Sequence, residues 1–314
     1  MRAMTYAAFG GVEQLRAVEV PRPSPGPGQL LIRVRRASVN PVDWKIASGK
    51  LRLLMPVTLP AIPCLDIAGE VQELGAGVTG FEVGAMAHAR VGSFPGRGAA
   101  EFAVAGVHVA APMPPGMSLE DAAAIPLAGL TALQGLRAGG LPEAGAGQRA
   151  LVVGASGGVG HFGVQIARAA GAHVTGVCST RNAALVTSLG AHETIDYSAS
   201  DAYGGKPPWD IILDCVGSAP GFFMPMLTPT GHYASCVAGP GTIARLLWNP
   251  FSGRKDHAVM VKSNATDLVF LDRLYAAGKL KVVIDSRFPL EMLGEAWTRS
   301  MGGRSVGKIV VEVG

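Results

Sequence analysis

The sequence predicts an α/β protein: a parallel sheet built from alternating strands and helices, joined to a β-rich part. Two observations carry this. From residue 149 onward, short apolar runs alternate with longer helix-forming runs. The first ~110 residues instead show period-two alternation, broken repeatedly by proline and glycine.

Length and composition agree with that reading. A chain of 314 residues exceeds one ordinary core, so two domains are expected. With 48% hydrophobic and 16% charged residues, the chain has ample core and is not a disordered one. Its 43 glycines and 22 prolines are dispersed and form no low-complexity segment. The net charge of +4 fits an anionic ligand and, taken alone, weak nucleic-acid contact. RVRR at 33–36 alternates basic and apolar residues as one solvated strand face would, and no basic cluster interleaved with aromatics occurs, so nucleic acid is not expected as a partner. MRAMTYAAFGG lacks the apolar core of a secretory signal, and no apolar stretch is long enough to span a bilayer. Cys64, Cys178, Cys215 and Cys236 lie far apart without CxxC spacing, so a reduced, cytoplasmic setting is expected.

The elements follow in order. QLLIRVRRA is a strand. Ser118 followed by Asp121 marks a helix start, and the run after Pro126 is helix-forming. RALVVG is a buried strand and GVGHFGVQIARAAG a helix. HVTGV, ETIDY, DIILDCVG and GHYASCV are strands, and NAALVTSLG and TDLVFLDRLYAAGKL are helices, with Gly278 near the end of the latter. Such alternation predicts right-handed crossovers in a doubly wound parallel sheet. VGKIVVEVG at the C-terminus is a strand able to return to the N-terminal part.

In LVVGASGGVG, Ala155, Gly157 and Gly160 occupy the small-residue positions of a dinucleotide fingerprint, alanine replacing the first glycine. Small residues let the chain turn off the strand and approach a pyrophosphate, which the next helix meets with unpaired N–H groups. The following strand ends in Cys178-Ser179-Thr180-Arg181-Asn182, without the carboxylate that commonly bonds the adenosine ribose. Ser179 can donate to a phosphate oxygen, and Arg181 can pair with a dianion through two N–H groups. NADPH is therefore the expected cofactor, with Arg181 as a solvated loop residue the alternative.

Several words of the sequence occur together in one family. They are SVNPVDWKIASG at 38–49, PCLDIAGEVQELGAGVTGFEVG at 63–84, IPLAGLTALQGL at 125–136, ASGGVGHFGVQIA at 155–167, SLGAHETIDY at 188–197 and GKIVVEV at 307–313. The chain resembles the medium-chain dehydrogenase/reductase superfamily, in its zinc-independent quinone oxidoreductase branch, and is most similar there to chloroplast-envelope quinone oxidoreductase homologues. The resemblance implies a GroES-like β-rich catalytic domain over 1–115 and 281–314, a Rossmann domain over 116–280, and a cofactor in the cleft between them. It also implies Thr131 near the carboxamide and Ser156, Gly157, Gly158 and Val159 at the pyrophosphate. Ser179, Arg181 and Tyr197 would surround the 2′-phosphate, and Cys215, Val216 and Gly217 would lie beside the nicotinamide ribose. Tyr197 rests on the resemblance alone. A homodimer is likewise only what the resemblance suggests.

Zinc members of the superfamily carry a cysteine near Asn40 and a Gly-His-Glu triplet where this chain has Cys64-Leu65-Asp66. Leucine thus replaces a histidine ligand, a four-cysteine lobe is missing, and the seven histidines show no ligand spacing, so no metal is expected. Without a Lewis acid, a conjugated acceptor suits the site better than an isolated carbonyl. Hydride addition to an enone or quinone leaves charge on an oxygen that hydrogen-bond donors can stabilise. Candidate catalytic residues are Asn40, Asp43 and Lys45. The tyrosines that many quinone oxidoreductases place near Lys45 and Leu51 are absent, which leaves Lys45 or water as proton donor. Lys45 can equally be a cofactor-contacting or solvated lysine, Asn40 and Asp43 can serve to hold their loop, and Trp44 reads as a cleft wall. The apolar runs LRLLMPVTLP and IARLLWNPF suggest a small hydrophobic substrate. An enoyl reductase of a biosynthetic pathway, and a non-catalytic NADPH-binding protein of the crystallin-like or RNA-binding kind, are the alternatives.

Overall fold

The computed structural model describes residues 1–53, 55–91, 97–141, 147–218, 220–237 and 255–314. IARLLWNPF lies outside the described residues, as does Leu54. The first strands are β1 (Arg2–Tyr6), β2 (Leu15–Glu19), β3 (Gln29–Val39), β4 (Asp66–Leu74), β5 (Met86–Arg90), β6 (Phe102–Gly106) and β7 (Ala110–Pro112). Then come β8 (Arg149–Val153), β9 (His173–Cys178), β10 (Glu193–Asp196), β11 (Trp209–Asp214), β12 (Leu227–Ser235), β13 (Lys255–Ala258), β14 (Ile284–Pro289) and β15 (Lys308–Glu312). The helices are α1 (Pro41–Ala47), α2 (Leu119–Ala124), α3 (Pro126–Ala138), α4 (Gly160–Ala169), α5 (Ala183–Ser188), α6 (Pro220–Phe223), α7 (Ala265–Ala276) and α8 (Leu293–Met301).

The chain forms two compact units: Met1–Leu127 with Ser263–Ala276 and Val282–Gly314, and Ala128–Lys262 with Ala277–Lys281. In the first unit a seven-stranded sheet runs β14-β15-β3-β4-β5-β7, with β6 also pairing β3. The C-terminal strand does return, as β15 antiparallel to β3. β3 departs from simple alternation, because Leu30, Leu31 and Ile32 are all buried. Register shifts after Leu31 and after Val34 accompany this, each a bulge that re-aims the side chains beyond it. Tyr6, Ile32, Ile67 and Trp297 are among the residues that fill its core.

Expected boundaries at 115 and 280 assigned α2 and α7 to the nucleotide-binding part; both pack with the first unit. Ser118 caps α2 by accepting the Asp121 N–H at 3.1 Å, and α2 lies on β3 and β4. His88 of β5 contacts the Ala122 carbonyl of α2 at 2.9 Å and Asp272 of α7 at 3.1 Å. These long-range contacts cannot be read from the local pattern that predicted the helices.

In the second unit six parallel strands run β10-β9-β8-β11-β12-β13. Strand order reverses between β8 and β11, the switch point at which sheets of this kind bind ligands beyond their carboxyl ends. Helices α4 and α5 pack on β8, β9 and β10. Gly176 of β9 allows this, since a Cβ there would lie 2.4 Å from Val186 of α5. Among the described residues no helix is long and apolar enough to cross a membrane.

Candidate functional site

The carboxyl ends of β8, β9, β10 and β11 bring together most of the expected cofactor residues. Ser156–Val159 follow β8, Ser179 and Arg181 follow β9, Tyr197 follows β10 and Cys215–Gly217 follow β11. Thr131 is buried on α3, which packs along β11: a Cβ on Gly139 would meet Ile211 at 2.8 Å and one on Gly135 would meet Leu213 at 2.6 Å.

The glycine loop is built by steric necessity. The tight turn off β8 falls on Gly154, at φ +75°, so Ala155 needs no special backbone and packs instead beneath Gly176. A Cβ on Gly160 would lie 2.1 Å from the Gly154 carbonyl oxygen, so only glycine lets α4 start against the turn. Gly157 N–H donates to that same oxygen at 2.9 Å. In the first turn of α4 the His161 N–H donates to the Gly157 carbonyl at 3.1 Å and the Gly163 N–H to the Val159 carbonyl at 3.0 Å, so what the helix start offers a pyrophosphate is its positive dipole end.

Beyond β9, Ser179 begins a 3₁₀ turn over Thr180–Asn182 without using its hydroxyl as a cap. Arg181 is exposed and makes no ion pair among the described residues. The chemistry there fits an exposed dianion. Three residues that sequence reading missed shape this edge. Asn182 donates to Ser156 Oγ at 2.9 Å, joining the two loops. Asp214, fully buried, accepts the N–H groups of Val216 at 2.9 Å, Gly217 at 3.1 Å and Ser218 at 2.6 Å, and also the Tyr233 hydroxyl. It thereby fixes the course of the chain through Cys215–Gly217.

The third is Asp196, which brings a carboxylate to this loop although β9 itself ends without one. The carboxylate comes from the neighbouring strand rather than from β9: Asp196 of β10 stands in register with Cys178. One oxygen accepts from Thr180 N–H at 2.9 Å and from the Thr180 hydroxyl; the other accepts from Ser198 N–H at 2.8 Å and Oγ at 2.6 Å. The Ser198 and Thr180 side-chain bonds hold its carboxyl well below the usual range. A signal for it existed in the Asp-Tyr ending of ETIDY, but only the parallel register aims it at the loop.

In the first unit, SVNPVDWKIASG is not a loop through Lys45 but the start of α1. Asn40 is its N-cap: the Asp43 carboxylate accepts the Asn40 N–H at 2.7 Å, and proline occupies the first turn. Asn40 and Asp43 are buried in a polar network. Asn40 Nδ2 donates to Asp66 at 2.8 Å, Ser38 Oγ donates to the same oxygen at 3.2 Å, and Leu127 N–H donates to the other at 3.0 Å. Lys308 Nζ donates to Asn40 Oδ1 and lies 3.9 Å from Asp66. Burial pushes the Asp43 carboxyl up to about 7, opposed by the Asn40 N–H, and burial also raises Asp66 and lowers Lys308.

Lys45 stands outside that network. It is half-buried, with its ammonium 5.4 Å from the centre of the Trp44 ring, and the indole N–H donates to Ser300 Oγ at 3.1 Å. Leu65, at the position of a zinc-ligating histidine in metal-dependent relatives, is buried and apolar. Among the described residues no three His, Cys, Asp or Glu side chains are placed to hold a metal ion.

Residues 26–115 match the alcohol dehydrogenase GroES-like domain and residues 189–311 the zinc-binding dehydrogenase model. The chain is 39% identical to a chloroplast envelope quinone oxidoreductase homolog of Arabidopsis thaliana over 99% of this chain and 98% of that one. It is 38% identical to a chloroplastic quinone oxidoreductase of Triphysaria versicolor, with the same coverage. A trans-enoyl reductase of Aspergillus terreus is 33% identical, over 92% of this chain and 87% of that one. Among solved structures, the quinone oxidoreductase of Coxiella burnetii superposes with TM-score 0.90 at 29% identity, covering 100% and 99% of the two chains. A mycobacterial protein complexed with NADPH superposes with TM-score 0.84 at 26% identity, covering both chains fully.

The plant relatives overturn the expectation of a cytoplasmic protein, since they are named for the chloroplast. The wide spacing of the cysteines along the sequence does not distinguish the cytosol from other reducing compartments. The β-rich GroES-like unit, the Rossmann sheet with its glycine loop, the leucine at the ligand position and the full-length relatives lead to one family. The chain belongs to the medium-chain dehydrogenase/reductase superfamily, in its zinc-independent quinone-oxidoreductase-like branch.

Proposed function

We propose that the protein is an NADPH-dependent reductase that delivers hydride to a quinone or to the β-carbon of an α,β-unsaturated ketone. The observation that carries this reading is Arg181: exposed, outside any ion pair among the described residues, and three positions past β9, the strand next to the glycine loop's own. A guanidinium so placed meets a 2′-phosphate with two N–H groups, which NADH cannot use. The relatives named as quinone oxidoreductases and the relative complexed with NADPH support it.

NADPH, when bound, supplies the hydride. Gly157, Gly158, Val159 and the first turn of α4 hold its pyrophosphate, with Ser156 kept in place by Asn182. Ser179 and Arg181 bind the 2′-phosphate, and Tyr197 lies beside them. Cys215–Gly217, kept on course by Asp214, and Thr131 position the nicotinamide end. Lys45 stabilises or protonates the oxygen on which negative charge develops, with water as the other source of that proton. Asn40 and Asp43 act as positioning residues that start α1 and so set the place of Lys45.

The test is NADPH oxidation by the purified protein with a panel of quinones, enones and enoyl thioesters. Turnover of quinones or enones supports the proposal. Turnover of enoyl thioesters alone would assign the enoyl reductase reading, which the Aspergillus terreus relative favours. No turnover with any acceptor, despite tight NADPH binding, would leave a cofactor-binding protein.

A further inference from the structure

The parallel register of the second unit sets Asp214 of β11 opposite Ser235 of β12. Cys236 N–H donates to the Asp214 carbonyl at 2.8 Å, so the two chains remain adjacent at this end of the sheet. One residue beyond the last pair, Cys215 and Cys236 stand opposite each other. Neighbouring strands lie about 4.8 Å apart, within the Cα separation of roughly 4.4–6.8 Å that a disulfide spans. The chains stay close beyond that point as well, since a Cβ on Gly217 would come within 2.9 Å of Val237 Cβ.

The side chains agree with the backbone. Register partners in a sheet project from the same face, and the Cys215 thiol is pushed up first by its hydrogen bond with Cys236, then by burial and by Asp214. Both residues are free and half-buried, whereas Cys64 and Cys178 are buried. Two of the four cysteines are thus juxtaposed and sited where the nicotinamide ribose is expected.

We propose that Cys215 and Cys236 form a dithiol oxidation site that a quinone, or another two-electron oxidant, closes to a disulfide with loss of cofactor affinity. In the step, each thiol gives up one proton, one S–S bond forms, and the pair loses two electrons. The quinone accepts both electrons and both protons and leaves as hydroquinone. The loss of affinity rests on the function proposed above, because it requires Cys215–Gly217 to contact the cofactor. Closure draws this segment towards Cys236 and away from the course that Asp214 maintains. Thiols held protonated attack slowly at neutral pH, so closure should quicken as pH rises and should register sustained rather than brief oxidation.

The test treats the reduced full-length protein with diamide and, separately, with tetramethyl-1,4-benzoquinone, whose substituted ring resists arylation. Peptide mapping should find Cys215 joined to Cys236, with two hydrogens lost, while Cys64 and Cys178 stay reduced. The NADPH dissociation constant should rise by at least about 10-fold and recover with dithiothreitol. Cys236→Ser should bind NADPH as the reduced wild type does and should lose the response to oxidant. Both cysteines remaining open to alkylation after oxidation, or a disulfide that leaves NADPH affinity unchanged, would overturn the proposal. Failure of the reduced wild type to bind NADPH would instead contradict the cofactor reading, and the mapping would still read the dithiol.

Discussion

Asn182 donates its side-chain amide to the Ser156 hydroxyl at 2.9 Å, tying the turn after β9 to the glycine loop after β8. The loop proposed to hold the pyrophosphate and the turn proposed to hold the 2′-phosphate therefore share one support. Asn182→Ala should weaken NADPH and NADH together, each by roughly 2- to 10-fold, the worth of one ordinary hydrogen bond. Equilibrium titration of both cofactors checks this. Loss confined to NADPH would mean that Asn182 serves only the phosphate turn.

Asp196 braces the same turn while placing a negative charge near it. These two effects oppose each other for NADPH, but only the first operates for NADH. Asp196→Asn should lower NADH affinity by several-fold and raise the ratio of NADPH to NADH affinity. An unchanged ratio would show that Thr180 and Ser198 already shield the carboxylate from the bound phosphate.

The buried network around α1 predicts a pH dependence of stability. Burial holds the Asp43 carboxyl up at about 7, above its ordinary value of about 3.9. The folded protein thus holds this proton more tightly than the unfolded chain. The resulting stability is fully present below the unfolded value and is lost as pH rises through about 7. Between about pH 5 and pH 8 the wild type should lose stability relative to Asp43→Asn, by an amount on the order of a few kcal/mol. Chemical denaturation of both proteins across that range decides it, and parallel curves would contradict the assignment.

Lys45→Met tests the proton source. If the ammonium stabilises the developing charge, kcat should fall by about 10²-fold. A raised KM for NADPH with kcat retained would reassign Lys45 to cofactor binding.

The sequence made the glycine loop legible because Gly160 is required by a backbone contact, and such steric demands leave a local signature. Arg181 was readable for the same reason, since its place follows from counting one strand onward. Asn182 and Asp196 were not, because their partners are brought to them by strand order and register; Asp214 was legible only in part, since its bonds to Val216, Gly217 and Ser218 are local but its bond to Tyr233 is not. Asp196 reaches Thr180 only because β10 pairs with β9, and Asp214 reaches Tyr233 only because β11 pairs with β12. Lys308 shows the extreme: it enters the Asn40 network from 268 positions away in sequence, where no local pattern can report it. In the segment 40–47, Asn40, Pro41 and Asp43 spell a helix start rather than a held loop, and the shortness of α1 hides that capping signal in the sequence.

Arg181 is the residue proposed to select NADPH. A 2′-phosphate carries about two negative charges, and hydrogen bonds to charged groups contribute on the order of 1.5–3 kcal/mol each. The wild type should therefore prefer NADPH over NADH by roughly tenfold to a hundredfold. The decisive measurement is titration of both cofactors into wild type and Arg181→Ala at low and high salt. NADPH affinity should fall in the variant while NADH affinity stays nearly the same, and the wild-type preference should narrow as salt screens the pair. Equal affinities for the two cofactors in the wild type would contradict the account, because Arg181 would then point to solvent and select nothing.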